Sequence, residues 1–494
     1  LILNEGDTIG HGTQVASIVG GGEPGRRFAG LAPDARLLHA NILFGEDFVL
    51  TPMEDRMNWA LAMGADVLVY ELGGWVWEYL DGSSNVELLI NDLTAQGMVQ
   101  VTAAGNLATG GMHWEGDLDP TVGSTLEAEL VSVSPGSPIT EIVGNFYCVP
   151  GAETAYTVQL TTPDATVVPL TGDGTTTGTG DYEIYHFIST SPRGTERFDF
   201  AITLATGGTV AQLDGTWTFT LTRAAPAKTA MPLRVLAMVT DDQSGWFGNS
   251  TWTGATNQNT VTWPATADDS IVVAAFGPSG GNINGFSGRG LRVDGADLVD
   301  VAAPGSITYT AYRQEDRGGV PGGYGAFGGT SAAAPHVAAA AALLLQWDPA
   351  FTPADVEAIV KAGAQADGFT GAVPNSTWGA GKLQIYQSLQ SEFTAAPVET
   401  PAHGPRVASA SPNPFNPRTT LVYRLDGEGD VRFEVLDLRG RRIREVALGR
   451  QSPGEHRVDW DGVDDAGRRV GSGVYLLSIV QDGARDHRKV VLVK

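Results

Sequence analysis

Three short segments carry residue types that could act together on a carbonyl group. The first is Gly10-His11-Gly12-Thr13-Gln14-Val15-Ala16, a histidine at a glycine-flanked turn that feeds a helical pattern. An imidazole there can take and return a proton near neutral pH, although a lone histidine also suits a polar turn or a core position. The second, Val101-Thr102-Ala103-Ala104-Gly105-Asn106, is an apolar strand ending in Gly-Asn. It places a side-chain amide where open α/β sheets bind substrates, at the carboxyl ends of strands, and it also fits an ordinary strand-ending turn. The third is Gly328-Gly329-Thr330-Ser331-Ala332-Ala333-Ala334-Pro335-His336-Val337, in which Ser331 opens a helix of small residues. A hydroxyl at that point often serves only as a cap. The same placement suits a nucleophile, because the helix dipole and its free N–H groups favour negative charge beside it. Pro335 is expected in the first turn of this helix, where its missing N–H does little harm.

Taken together, these segments resemble the subtilisin family of serine peptidases. His11 matches the family's His-Gly-Thr motif, Asn106 its oxyanion-hole asparagine and Ser331 its Gly-Thr-Ser-x-Ala-x-Pro-His nucleophile motif. The run Asp300-Val301-Ala302-Ala303-Pro304-Gly305, the strand at 270–276 and the tail Trp378-Gly379-Ala380-Gly381-Lys382 follow in the family's order. The resemblance covers roughly 1–106 and 250–390. It implies a secreted serine endopeptidase that acts on protein or peptide substrates through an acyl-enzyme on Ser331. His11 would be the general base, and Asn106 would hold the oxyanion. It also makes Glu71, Leu72, Gly73, Gly74, Ala104 and Gly105 the substrate-binding residues. No metal ligand and no certain cofactor are implied. Calcium stays open because many relatives bind it, but no D-x-D-x-D-G run is present. The pairs Asp268-Asp269 and Asp464-Asp465 read as solvated loop charges.

The pattern breaks in three places. The family's catalytic aspartate ends the first core strand, well before the histidine. Only ten residues precede His11 here, and none carries that pattern. Asp7, the nearest acid, is expected in the loop leading to the histidine helix. Leu1 therefore reads as an internal residue of a longer precursor. The chain as given is expected to be nearly inactive, by analogy with the loss of about 3 × 10⁴ in turnover when subtilisin lacks its aspartate. The second break is Glu71, where relatives usually have serine before Leu-Gly-Gly. A carboxylate there could favour basic or polar substrate side chains, or simply point into the loop made by Trp75 and Trp77. The third is a long insertion after Asn106. Its segment 213–221 resembles a strand common in jelly-roll accessory domains of secreted peptidases, whose role is either substrate binding or stabilisation.

Positioning such a site requires a parallel sheet. Apolar runs at 37–43, 67–72 and 98–104 read as buried strands, with helical patterns at 14–20, 52–63 and 86–96 between them. That alternation implies an α/β, three-layer fold with helices on both faces of the sheet. From about 115 to 245 the period changes to two, at 156–160, 198–204, 216–221 and 233–239, with an exposed hairpin tip at 171–180. This is the pattern of an inserted β-sandwich. Alternation of strand and long helix resumes at 270–276 and 331–346. The expected domains are 1–110 and 249–392 for the two parts of the peptidase, 111–248 for the sandwich, 393–405 for a linker and 406–494 for a small β-domain.

That last domain contains Ser411-Pro412-Asn413-Pro414-Phe415-Asn416-Pro417, strands at 431–436 and 474–479, and Asp-Gly turns. It resembles the immunoglobulin-like domains of type IX secretion sorting and of flagellar hook-capping proteins. This implies export, with secretion machinery as a partner and a secreted or bacterial cell-surface location. Composition agrees with these readings. The 494-residue chain has a net charge of −25, which argues against a nucleic-acid partner. A single cysteine, Cys148, excludes an intrachain disulfide. No apolar run reaches the length of a membrane span. The main alternative is a pseudopeptidase that keeps the fold as a surface-binding protein. A flagellar or adhesive structural role would leave His11, Asn106 and Ser331 unexplained.

Overall fold

Branched apolar side chains alternate across four short parallel strands and bury both faces of the sheet they form. The strands run in the order Val299–Pro304, Ile271–Phe276, Val99–Ala103, Val67–Tyr70. Val67, Val69, Val101, Val273 and Val301 face the helix Thr330–Trp347. Leu68 and Tyr70 face the other way, into a cluster with Met57 of the helix Met53–Ala62 and Ile90 and Leu93 of the helix Asn85–Ala95. Ala333, Ala334, Ala338 and Ala341 are buried on the sheet side of the long helix. Side chains this small let its backbone come close to the strands, and alanine is the residue least opposed to a helix. The helix Asn85–Ala95 starts at a capping box, in which Ser84 Oγ accepts from the Glu87 N–H and the Glu87 carboxylate accepts from the Ser84 N–H.

The structure, a computed structural model, describes residues 10–20, 29–40, 43–44, 49–50, 53–148, 156–224, 232–312, 323–389, 405–425, 427–437, 441–481 and 484–493. Asp7 and the expected linker up to residue 404 lie outside these. The chain divides into two compact units, Leu1–Glu392 and Phe393–Lys494. The expected three-layer α/β architecture is present in the first unit. Its details differ at several places. Residues 37–40 are irregular instead of a strand, with Leu37 48% and Leu38 39% exposed; residues 41–42 lie outside the described set. An apolar run with no strand beside it has no ladder to satisfy its backbone groups. Pro335 sits in the second turn of its helix, not the first, so the Ser331 carbonyl loses the N–H it would otherwise receive four residues on. The strand at 67 ends at Tyr70, leaving Glu71 and Leu72 just beyond it.

The insertion is a sandwich of two antiparallel sheets. The six-stranded sheet runs Asp173–Gly178, Tyr182–Thr190, Glu196–Leu204, Glu141–Cys148, Leu233–Asp241, His113–Leu118. The five-stranded sheet runs Ser250–Trp252, Thr125–Ser132, Gly215–Arg223, Tyr156–Thr161, Val167–Leu170. Alternate residues meet between them, with Phe146 and Phe200 of one sheet 5.1 and 4.5 Å from Phe219 of the other. Residues 173–178 form an exposed edge strand and not a hairpin tip; the turn falls at 179–181, closed by Thr179 N–H to Tyr182 O. Asp268 is not a solvated loop charge. It accepts hydrogen bonds from Arg193 in the insertion and from Arg292, which hold its carboxyl down at about 2.

The second unit pairs a three-stranded with a four-stranded antiparallel sheet. Phe415, Tyr423, Phe433, Trp460, Tyr475 and Leu477 fill the space between them. Asp464 accepts from the Ala466 and Arg468 N–H groups, the turn chemistry expected of Asp-Asp-Ala-Gly, with Gly467 at φ 75°.

Candidate active site

The helix Thr330–Trp347 begins at Gly329, whose φ of 106° lies in the region that favours glycine. Ser331 is its second residue and is 5% exposed. The N–H groups of a first helical turn have no partners inside the helix, and Asn106 meets one of them. Its Oδ1 accepts from the Thr330 N–H at 2.8 Å and from the Thr330 hydroxyl at 3.1 Å. The same hydroxyl lies 3.2 Å from the Gly105 N–H, which it accepts. A backbone N–H can only meet an amide oxygen. The Asn106 nitrogen is therefore the end not bonded to Thr330; a Cβ added to Gly329 would lie 3.2 Å from it and 3.4 Å from Oδ1.

His11 is the first residue of the helix His11–Gly20, and its ring packs edge-on against Phe327 at 5.4 Å. Farther along, Val19 shares a buried cluster with Ala339 of the serine helix. The histidine helix thus meets the serine helix at Val19 and Ala339, and meets Phe327, of the strand just before the serine helix, at His11.

Ser331 Oγ approaches the Glu71 carbonyl at 3.5 Å. Glu71 is partly exposed as a whole, yet both carboxyl oxygens are buried and neither has a hydrogen-bond partner. Burial pushes this carboxyl well above the usual range, opposed more weakly by the neighbouring Ser331 hydroxyl.

Gly73, Gly74, Ala104 and Gly105 converge on one segment that carried no signal in the sequence. Gly74 and Trp263 exchange backbone hydrogen bonds at 3.1 and 2.9 Å, and the Thr262 N–H donates to Ala104 O at 3.1 Å. The Thr262 hydroxyl would lie 2.5 Å from a Cβ on either Gly73 or Gly105. Those two glycines are needed for close approach, and Gly105 also for its φ of 99°. Leu72 lies in the same segment, directly after Glu71.

The insertion holds the loop that follows Gly74. Tyr147 Oη lies 2.7 Å from the carbonyls of both Trp75 and Glu78, which share its single proton, Asn145 Oδ1 accepts from the Trp77 N–H, and Arg197 donates to Trp77 O. Trp75 and Leu80 are buried in the sandwich core. Among the described residues no cluster of three or more His, Cys, Asp or Glu side chains could hold a metal ion. Nor is any helix among them long and apolar enough to cross a membrane.

Comparison with known proteins agrees with this geometry. The model of the subtilase family matches residues 4–142 and 247–417, and the FlgD Ig-like domain matches 418–484. Subtilisin from Bacillus pumilus is 40% identical over 111 residues, 22% of this chain and 34% of that protein. Subtilisin E from Bacillus subtilis (strain 168) is 41% identical over 111 residues, 22% of this chain and 24% of that protein. The chain thus spans about a third or less of the subtilisins it matches. The structure of the Clostridium perfringens CspB protease superposes with a TM-score of 0.66 at 20% identity, over 80% of this chain and 82% of that one, a likeness of fold. With the family match covering more than half of its residues, this chain belongs to the subtilase family.

Proposed function

We propose that the protein is a secreted serine endopeptidase. The observation that carries this reading is the coupling of Asn106 to the start of the Ser331 helix, with the amide oxygen bonded to the Thr330 N–H and hydroxyl. Ser331 Oγ attacks the scissile carbonyl carbon as its proton passes to His11. The carbonyl oxygen becomes an oxyanion, held by Asn106 Nδ2 and the Ser331 N–H. Collapse breaks the C–N bond, His11 returns the proton to the leaving amine, and water repeats the sequence to free Ser331. An aspartate behind His11 completes such a site; we place it outside the described residues.

A fluorophosphonate probe tests this on the full-length protein, beside Ser331→Ala. Labelling of the wild type alone supports an activated Ser331. No labelling of a folded protein favours a pseudopeptidase that binds peptides without cleaving them. The FlgD-like Ig domain is read as an export module. A reporter fused to residues 406–494 that is secreted no better than the reporter alone removes that reading.

A further inference from the structure

Trp246 belongs to the insertion, yet its ring lies beside the candidate oxyanion site. A methyl group placed on Gly329 would stand 3.3 Å from the Trp246 ring and 3.2 Å from Asn106 Nδ2. The indole, the oxyanion amide and the approach to Ser331 therefore meet around one bare α-carbon. Trp246 is 44% exposed and its neighbour Phe247 66%. Such exposure in so large a ring leaves an apolar face for a ligand.

The ring is held in place from behind. It packs against Phe286 at 5.2 Å. The loop bearing it is tied down by Asp241, whose carboxylate accepts from the Gln243 N–H, the Ser244 hydroxyl and the Ser250 N–H, and by the Gly248 N–H to Gly110 O. Ser331 Oγ approaches the Glu71 carbonyl of the 71–74 segment, whereas Trp246 meets Gly329 and Asn106. If the acyl half of a substrate follows 71–74, the leaving-group half runs toward the indole.

We infer that Trp246 is a specificity-determining residue that binds a large apolar or aromatic side chain on the leaving-group side of the scissile bond. This rests on the peptidase reading and gives the insertion a part in substrate choice. The test uses the full-length protein and quenched peptides that share one acyl half and carry Phe, Leu, Gly, Asp or Lys in the first two leaving-side positions. Trp246→Ala should lower kcat/KM for the Phe and Leu peptides by about ten- to a hundredfold, leave the Gly peptides and fluorophosphonate labelling rate unchanged, and be largely rescued by Trp246→Phe. An equal change across all peptides, no change, or a loss confined to Lys overturns the inference alone. Should Trp246→Ala fail to label, Trp246→Phe and Trp246→Gln decide by the same peptide ratios. A wild type that cleaves no peptide overturns the peptidase reading and this inference with it.

Discussion

Thr330 gives both its backbone N–H and its hydroxyl to Asn106 Oδ1, so the amide facing the cleft and the helix carrying Ser331 are joined at one residue. Asn106→Leu removes the oxyanion donor and should lower kcat by about 10²–10³, the range for loss of such a donor in subtilisin, with KM nearly unchanged. Thr330→Val keeps the backbone donor but loses the hydroxyl's bonds to Asn106 and Gly105. It should cost about 1–2 kcal/mol of stability and a smaller share of kcat. Steady-state kinetics and urea midpoints of both variants separate the two roles.

Much of this site was legible because its chemistry sits in contiguous motifs. Gly-Thr-Ser, His-Gly-Thr and Gly-Asn each mark a turn joined to a regular element, and local chemistry decides such turns. Strand and helix periods located the sheet to within a few residues for the same reason. Thr262 was silent: its importance comes from lying between Gly73 and Gly105, a relationship made only by folding. Trp246 left a weak trace, an aromatic pair in the polar run 241–249. The run at 37–43 misled because apolarity suggests burial, whereas a strand also needs a neighbour to pair with.

Glu71 makes a pH-dependent contribution whose sign follows from its raised pKa. In the unfolded chain its carboxyl ionises near 4.5, while in the folded chain it stays protonated well above that. The folded state is therefore favoured most below 4.5 and loses that advantage as pH rises, with a limiting slope of about 1.4 kcal/mol per pH unit. Glu71→Gln keeps the shape and cannot ionise. Its urea midpoint should fall less than that of the wild type between about pH 5 and pH 8. Parallel pH profiles for the two proteins would show that Glu71 is ionised in the fold.

Gly105→Ala tests the close approach at the cleft floor. The new methyl would meet the Thr262 hydroxyl at 2.5 Å, and the backbone would be strained at φ 99°. Loss of about 2–4 kcal/mol and of most activity is expected. Thr262→Ala in the same chain should recover the part due to the clash and not the part due to φ. Denaturation of the double variant, compared with each single one, measures that coupling.

Tyr147 links the sandwich to the loop after Gly74, so its hydroxyl should matter to substrate binding without touching substrate. Tyr147→Phe leaves the ring in the core and removes the one proton that the carbonyls of Trp75 and Glu78 share. A cost of about 1–2 kcal/mol in stability is expected, with a rise in KM for long peptides and little change in fluorophosphonate labelling. An unchanged KM would mean that the loop holds its position without the insertion.

His113, on the edge strand of the six-stranded sheet, should make the insertion sensitive to mild acid. Burial lowers its pKa from 6.5 to about 4, against the opposing pull of Glu115. The stabilisation is complete above 6.5, because both folded and unfolded chains then carry a neutral ring. As pH falls toward 4 the unfolded chain takes up a proton that the folded chain resists, which removes about 3 kcal/mol. Since the sandwich core also contains Trp75 and Leu80, its loosening would reach the cleft. The urea midpoint of the wild type should drop steeply across that interval, whereas His113→Leu should follow a shallower line. A variant as acid-sensitive as the wild type would assign the loss to groups other than His113.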